Sequence, residues 1–169
     1  MTFVADFAYS YLPSPIGMLE LRGSAAGLAA VTFLDESVAP APTPLVAVAG
    51  CLREAHQQLH AYFGRELREF SLLYDVPGGT EFQRRVWQVL VGVGYGRTAS
   101  YLALARQLGN AGAVRAVGAA NGQNPLAIVW PCHRIIGANG QLTGYAGGLP
   151  RKRWLLAFEQ PAAQAELFG

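Results

Sequence analysis

Apolar positions in the first part of the chain gather into short runs separated by glycine and proline. Ile16 to Leu21 and Leu28 to Phe33, bounded by Pro15-Ile16-Gly17 and Gly27, predict two strands of a hairpin. The Pro/Ala stretch Val38 to Pro44 predicts a loop. From Leu45 to Phe63 the residues Leu52, Ala55, Leu59 and Phe63 recur at helical spacing until Gly64, which predicts one amphipathic helix. Pro77-Gly78-Gly79 then marks a boundary. Beyond it, Thr80-Glu81-Phe82-Gln83 has the form of a capping box, and Phe82, Val86, Val89, Leu90 and Val93 share one helical face. Ser100 can cap a second helix through Leu108, ended by Gly109, and Asn110 a third running to about Ala120, so this pair is a candidate helix-turn-helix. Leu126 to Trp130 reads as a buried strand, Asn139-Gly140 as a tight turn, and Pro150 as the start of a last helix with Trp154, Leu155 and Phe158 inward. The fold class expected is α+β. A small N-terminal domain over residues 1–76 carries an antiparallel sheet and a helix, and a mostly helical C-terminal domain over 77–169 carries a winged-helix-like helix-turn-helix.

Composition narrows this reading. With 51% hydrophobic and 14% charged residues the 169-residue chain is not disordered, and at that length it can bury roughly 68–70% of its unfolded surface without metal or disulfide staples. Two cysteines, Cys51 and Cys132, exclude a disulfide framework and favour a reducing compartment, so a cytoplasmic location is expected. The stretch MTFVADFAYSYLPS has no basic start and no sustained apolar core, so no signal peptide is expected. The apolar run at Leu126 to Trp130 falls far short of the roughly 20 residues that span a bilayer, so no membrane association is expected.

Charge divides the chain where the glycines do. Residues 1–79 carry four arginines against eight acids, and residues 80–169 carry nine basic residues against three acids. A basic half joined to an acidic one suits a polyanion-binding module. Its third helix is built from Ala111, Gly112, Ala113, Val114, Ala116, Val117, Gly118, Ala119 and Ala120, with Arg115 as the only long side chain. Such a helix can approach another surface closely, either inside the protein or against a nucleic-acid groove.

Chemistry concentrates at Pro131-Cys132-His133-Arg134. A cysteine after an apolar run is usually an inert core residue, but here His133 is a base beside a nucleophile and Arg134 adds charge that favours thiolate. Consecutive side chains on a regular strand point to opposite faces, so either the chain turns at this point or a water relays the proton.

These residues, with Asn124-Pro125 before them and Gly144-Tyr145-Ala146-Gly147-Gly148-Leu149 after, resemble the O6-alkylguanine-DNA alkyltransferases. TEFQRRVWQ at Thr80 to Gln88, Ser100-Tyr101, Arg115-Ala116-Val117-Gly118 and Arg151 to Leu156 extend the resemblance, as do Ser14 to Gly17 and Leu59 to Phe63 in the N-terminal part. The resemblance implies direct-reversal repair. Cys132 takes an alkyl group from guanine O6, and from O4-alkylthymine, irreversibly and once. His133 acts through a water as its base, Glu159 orients His133, and Asn124 holds backbone between the helix-turn-helix and the reactive turn. Tyr101 donates to the flipped base, Tyr145 walls the pocket, the Ala146 N–H faces O6, and the carbonyls of Cys132 and Ile135 accept from the exocyclic amine. Arg115 enters the base stack, Ala116 and Gly118 let the helix sit deep, and Arg134 is placed among the DNA contacts. Gly94 and Trp130 depart from the family's usual proline and small aliphatic.

The partner implied is double-stranded DNA containing alkylated guanine, with no obligate protein partner, a monomeric chain and no cofactor. No metal is expected either, because Cys51 and His56 lie roughly 140° apart around a helix and no fourth ligand accompanies them and His60. The runner-up is a non-catalytic alkyltransferase-like lesion binder, a group that lacks the acceptor cysteine. A cysteine hydrolase would leave the arginine-bearing helix without a role, and a plain helix-turn-helix regulator would leave Pro131 to Arg134 unexplained.

Overall fold

The computed structural model describes residues 6–160 as two compact units. One unit runs to Gly78 and includes Pro125–Val129; the other comprises Gly79–Asn124 and the chain from Trp130 onward. The outer ends of both expected domains, residues 1–5 and 161–169, lie outside the described residues.

In the first unit β1 (Ala8–Ser14), β2 (Gly17–Ser24) and β3 (Gly27–Phe33) form an antiparallel meander in the order β1-β2-β3. The sequence pattern gave β2 and β3 but not β1. The inward positions of β1 are Ser10 and Leu12, and a buried serine hides the alternation that marks a half-buried strand. Ser14 closes the first turn, its hydroxyl donating to the Gly17 carbonyl at 2.6 Å and accepting from Ile16 N–H at 3.2 Å. The open edge of β3 is covered twice, by a bridge to Tyr74 at Leu28 and by a bridge to Leu126 at Val31, which protects it from pairing with other chains. Gly27, at φ +151°, permits the first of these: a Cβ there would lie 2.7 Å from the Tyr74 backbone.

The helix expected over Leu45 to Phe63 is shorter. A 3₁₀ turn at Leu45–Ala47 is followed by extended backbone at Val48 and Ala49, and α1 spans Gly50–Phe63. Its periodic residues begin only at Leu52; Val46 is 91% exposed, and Val48 is buried from extended backbone and not from a helical turn. Leu52, Ala55, Leu59 and Tyr62 of α1 bury against Leu12, Leu19, Leu21, Leu28 and Val31 of the sheet.

Leu126 to Trp130 is not a strand, which corrects the sequence reading. Only Leu126 makes a bridge, Ala127 to Val129 turn, and Ile128 sits at φ +71°. Leu126 and Ile128 are fully buried, so the apolar run reports burial and not extension, an ambiguity inherent in short hydrophobic stretches.

The second unit is mostly helical: α2 (Glu81–Leu90), α3 (Tyr101–Gln107), α4 (Val114–Gly122) and α5 (Leu149–Phe158), with β4 (Ala99–Ser100) paired in parallel to β5 (Ile135–Ile136). The capping box forms as read: Thr80 Oγ1 accepts from Gln83 N–H at 3.1 Å and Gln83 Oε1 from Thr80 N–H at 2.9 Å. Ser100 caps α3 through Ala103 N–H at 3.0 Å, and Gly109 ends it at φ +82°. Asn110 caps a 3₁₀ turn, Ala111–Ala113, that leads into α4. Trp87 of α2 donates its indole N–H to the Ala120 carbonyl at 2.9 Å and stacks on Trp130 at 5.9 Å, which gives the unusual bulk of Trp130 a packing partner. No helix among the described residues is long and apolar enough to cross a membrane.

Candidate active site

The chain does turn at the reactive cysteine. Cys132–Arg134 form a 3₁₀ turn between Pro131 and β5, with Cys132 N–H donating to the Trp130 carbonyl at 2.8 Å and Arg134 N–H to Pro131 at 3.0 Å. Cys132, His133 and Arg134 are therefore all buried side by side, with His133 at 0% exposure. Asn124 bonds the Trp130 carbonyl through Nδ2 at 2.8 Å and also hydrogen-bonds the Cys132 thiol. It thus holds both the entry to the turn and its reactive atom.

Glu159 follows the last turn of α5 and meets the two residues after the cysteine. Its Oε1 lies 3.0 Å from His133 Nε2, and Arg134 grips both carboxylate oxygens, Nε to Oε1 and Nη2 to Oε2, each at 2.8 Å. Burial pushes the Glu159 carboxyl up, but the hydrogen bonds and charges of Arg134 and His133 outweigh it and hold the group at about 2. A permanently ionised Glu159 is an acceptor only, so His133 Nε2 must carry the hydrogen and Nδ1 the lone pair. Burial pulls the His133 imidazole below its ordinary value despite Glu159, with Arg134 and Lys152 pulling the same way. The imidazole is accordingly neutral near pH 7, its free nitrogen ready to take a proton.

Burial raises the Cys132 thiol, and the Asn124 bond, the Lys152 charge and backbone N–H groups offset only part of that rise. The resting group is therefore a thiol. The hydrogen bond and charge of Glu159 favour the protonated form of His133, against the burial that opposes it. Together Cys132, His133 and Glu159 set a thiol, a neutral imidazole and an ionised carboxylate in one buried site.

Arg134 is a correction to the reading that set it among DNA contacts. The residue is 5% exposed, and its guanidinium is committed to Glu159 and, through Nη1 at 2.7 Å, to the Val93 carbonyl. Here it is the counter-ion that keeps Glu159 charged.

Tyr101 opens α3, and its hydroxyl donates to the Thr143 carbonyl at 2.8 Å. Beside it lies a residue to which the sequence reading gave no role. Lys152 is fully buried, and its ammonium donates to the carbonyls of Ile135 at 2.6 Å, Thr143 at 3.1 Å and Gly144 at 3.2 Å, with the Tyr101 hydroxyl 3.5 Å away. It ties the Thr143-Gly144 loop to the strand after the reactive turn. The available signal was its place: the chain's only lysine falls on the apolar face of α5, three residues before Leu155. Ile135 O keeps a second lone pair for another donor. The Tyr145 phenol is held far above its usual range by burial first and by the Cys132 charge second, which puts it near the sulfur, whereas Ala146 is exposed. Arg115, Ala116 and Gly118 occupy the outer side of α4, Arg115 and Ala116 exposed, while Val117, Ala120 and Asn121 face inward.

Family models described as the ribonuclease-like and DNA-binding domains of 6-O-methylguanine DNA methyltransferase match residues 7–75 and 81–161. The chain belongs to this family. A Mycobacterium bovis relative named methylated-DNA–protein-cysteine methyltransferase is 48% identical over 94% of this chain and 96% of its own. The crystal structure of Mycobacterium tuberculosis O6-methylguanine methyltransferase superposes with a TM-score of 0.79 at 44% identity, covering 97% of this chain and 100% of that one. The M. tuberculosis OGT structure in complex with DNA gives 0.78 at 47% identity, over 92% and 96%.

In the first unit Cys51 is exposed and His56 is buried, its Nδ1 3.4 Å from Ser10 Oγ. Among the described residues no group of three or more His, Cys, Asp or Glu side chains is disposed to hold a metal ion.

Proposed function

We propose that this chain repairs alkylated DNA by taking the alkyl group from guanine O6 onto Cys132, one group per molecule. The observation that carries the reading is the buried line Cys132, His133 and Glu159, in which an ionised carboxylate fixes a neutral imidazole with its lone pair free. A lesion binder that performs no chemistry needs neither a nucleophile nor a base, and both are built here.

In the step proposed, the thiol proton passes through a water to His133 Nδ1 and the thiolate attacks the alkyl carbon. The carbon–O6 bond breaks, its electrons remain on the base, and the purine takes up a proton to become guanine. Tyr101 stabilises the departing base by exchanging its Thr143 acceptor for the purine, which is electrostatic stabilisation aimed at charge that develops only in the transition state. The product is a thioether, with no carbonyl for water to attack, so the protein is consumed.

The duplex would be held by α3 and α4 acting as a helix-turn-helix, with the small outer face of α4 in the groove and Arg115 filling the space of the extruded nucleotide. Phosphate contacts from the basic half make binding fall steeply with salt. A cytoplasmic monomer that needs no cofactor or protein partner completes the reading. The test is intact-mass measurement after mixing with O6-methylguanine duplex. The native chain should gain one methyl group and Cys132→Ala none while still binding the duplex; a native chain that binds without gaining mass would favour the lesion-binder reading.

A further inference from the structure

Asn121 lies in the last turn of α4, is 4% exposed, and donates through Nδ2 to the Cys132 carbonyl at 3.3 Å. That bond fixes the orientation of the carboxamide, so its Oδ1 is an acceptor facing the other way. Oδ1 is buried and has no hydrogen-bond partner among the described residues, and the same holds for His133 Nδ1. A buried acceptor without a donor is destabilising, because the water it gave up on burial is not replaced. Two such atoms on residues joined through Cys132 call for a shared explanation. Both are acceptors, so they cannot satisfy each other; whatever serves them must bring two hydrogens.

We propose that Asn121 is a positioning residue of the proton relay: its Oδ1 and His133 Nδ1 together hold one water that also accepts from the Cys132 S–H. This rests on the alkyltransferase reading for its purpose. Three bonds are the usual complement of a buried water, and here they serve both orphaned acceptors and the thiol hydrogen. The step balances. The S–H proton moves to the water oxygen as one water hydrogen moves to Nδ1, the other hydrogen stays on Asn121 Oδ1, and water is regenerated beside a thiolate and an imidazolium. Without the asparagine the water loses one of its two fixed acceptors and is free to rotate away from the sulfur. Because Asn121 shares α4 with Arg115, the same helix that meets the duplex holds the relay in register.

The experiment uses Asn121→Leu, similar in size but without an acceptor, and Asn121→Ser as a smaller change in case the leucine chain fails to fold. Cys132 is alkylated with iodoacetamide across a pH series, the adduct being assigned by peptide mass so that Cys51 does not interfere. Methyl transfer from O6-methylguanine duplex is followed in parallel. Glu159, Arg134, Lys152 and Tyr145, the titratable groups facing the thiol and imidazole, are unaltered in every variant. Transfer near neutral pH should fall on the order of tenfold, a share of the roughly 10²–10⁴-fold that positioned acid–base groups supply. The alkylation midpoint should move to higher pH and the loss should shrink as the thiol ionises unaided. The serine variant should move the same way by less. An unchanged midpoint, or a transfer loss equal at every pH, would overturn the proposal and reduce Asn121 to a packing residue. A native chain that never accepts the methyl group would instead defeat the alkyltransferase reading, and the iodoacetamide series would still decide on the relay.

Discussion

The two units bury different things. In the first, α1 and three strands enclose leucine, valine, alanine and Tyr62, and among the described residues the buried polar side chains are Ser10 and His56. In the second, Asn121, His133, Arg134, Lys152 and Glu159 are all buried, four of them titratable. One region is held by area removed from water, a diffuse force that tolerates changes in detail. The other takes charges out of water and recovers that energy only through complete pairing. Chemistry favours the second arrangement, because burial fixes the tautomer and orientation of the imidazole through its carboxylate partner and strengthens the interaction between them.

The sharpest way to break this contrast is to unpair a charge. Arg134→Ala should destabilise by about 3–5 kcal/mol, because Glu159 would remain buried without its counter-ion. Thermal unfolding should show the drop, and methyl transfer should fall with it, since a Glu159 that protonates more readily no longer supports His133. A shift of less than 1 kcal/mol, the range of exposed ion pairs, would show that the site is wetter than described.

Leu59→Ala supplies the opposite case. It should destabilise by about 2–5 kcal/mol through lost burial and a cavity, yet leave transfer per folded molecule unchanged. A core defect that altered the chemistry itself would end the division of labour between the units.

Glu159→Gln preserves shape and removes charge. Transfer should slow by roughly 10–100-fold, within the usual reach of acid–base groups, while duplex affinity holds. The loss should be greatest at low pH, where thiolate depends most on the base. In the native chain the carboxylate is held at about 2 against an ordinary 4.5, so its contribution to stability is present above 4.5 and withdrawn as pH falls toward 2. His133 is also depressed, so below its ordinary 6.5 the unfolded chain binds a proton that the folded chain refuses. Both groups make acid destabilising, and the Gln variant should show a flatter stability profile between pH 2 and 4.5. Identical profiles would remove Glu159 from the account.

The smallest effect expected is at the DNA surface. Arg115→Ala should slow repair of duplex about tenfold, equivalent to ~1.4 kcal/mol, and leave reaction with free O6-alkylguanine base untouched because that substrate needs no extrusion. Equal losses on both substrates would take Arg115 out of the base stack.

Local signals in the sequence translated well into local structure. The Thr80 and Ser100 caps, the Gly109 stop and the Pro150 start are each decided by a few adjacent residues, and each stands where it was read. What escaped depended on partners distant in sequence. β1 was hidden because Ser10 faces a histidine 46 residues away. Leu126 to Trp130 looked extended because burial and extension leave the same apolar trace. Arg134 is set among the DNA contacts by the sequence because nothing nearby reveals a carboxylate 25 residues on. Lys152 and Asn121 serve backbone carbonyls, which every residue has and no motif records. The Cys132-His133 step was legible as chemistry, but only the 3₁₀ turn shows how two neighbours in sequence can face one site.

The central claim is consumption of the protein by its own reaction. It is tested most directly by titrating the chain with excess O6-methylguanine duplex and then mapping peptides by mass. Repaired lesions should stop at one per protein molecule, with the methyl group on Cys132. Repair that continues beyond one equivalent, or a methyl group found on Cys51, would contradict the account.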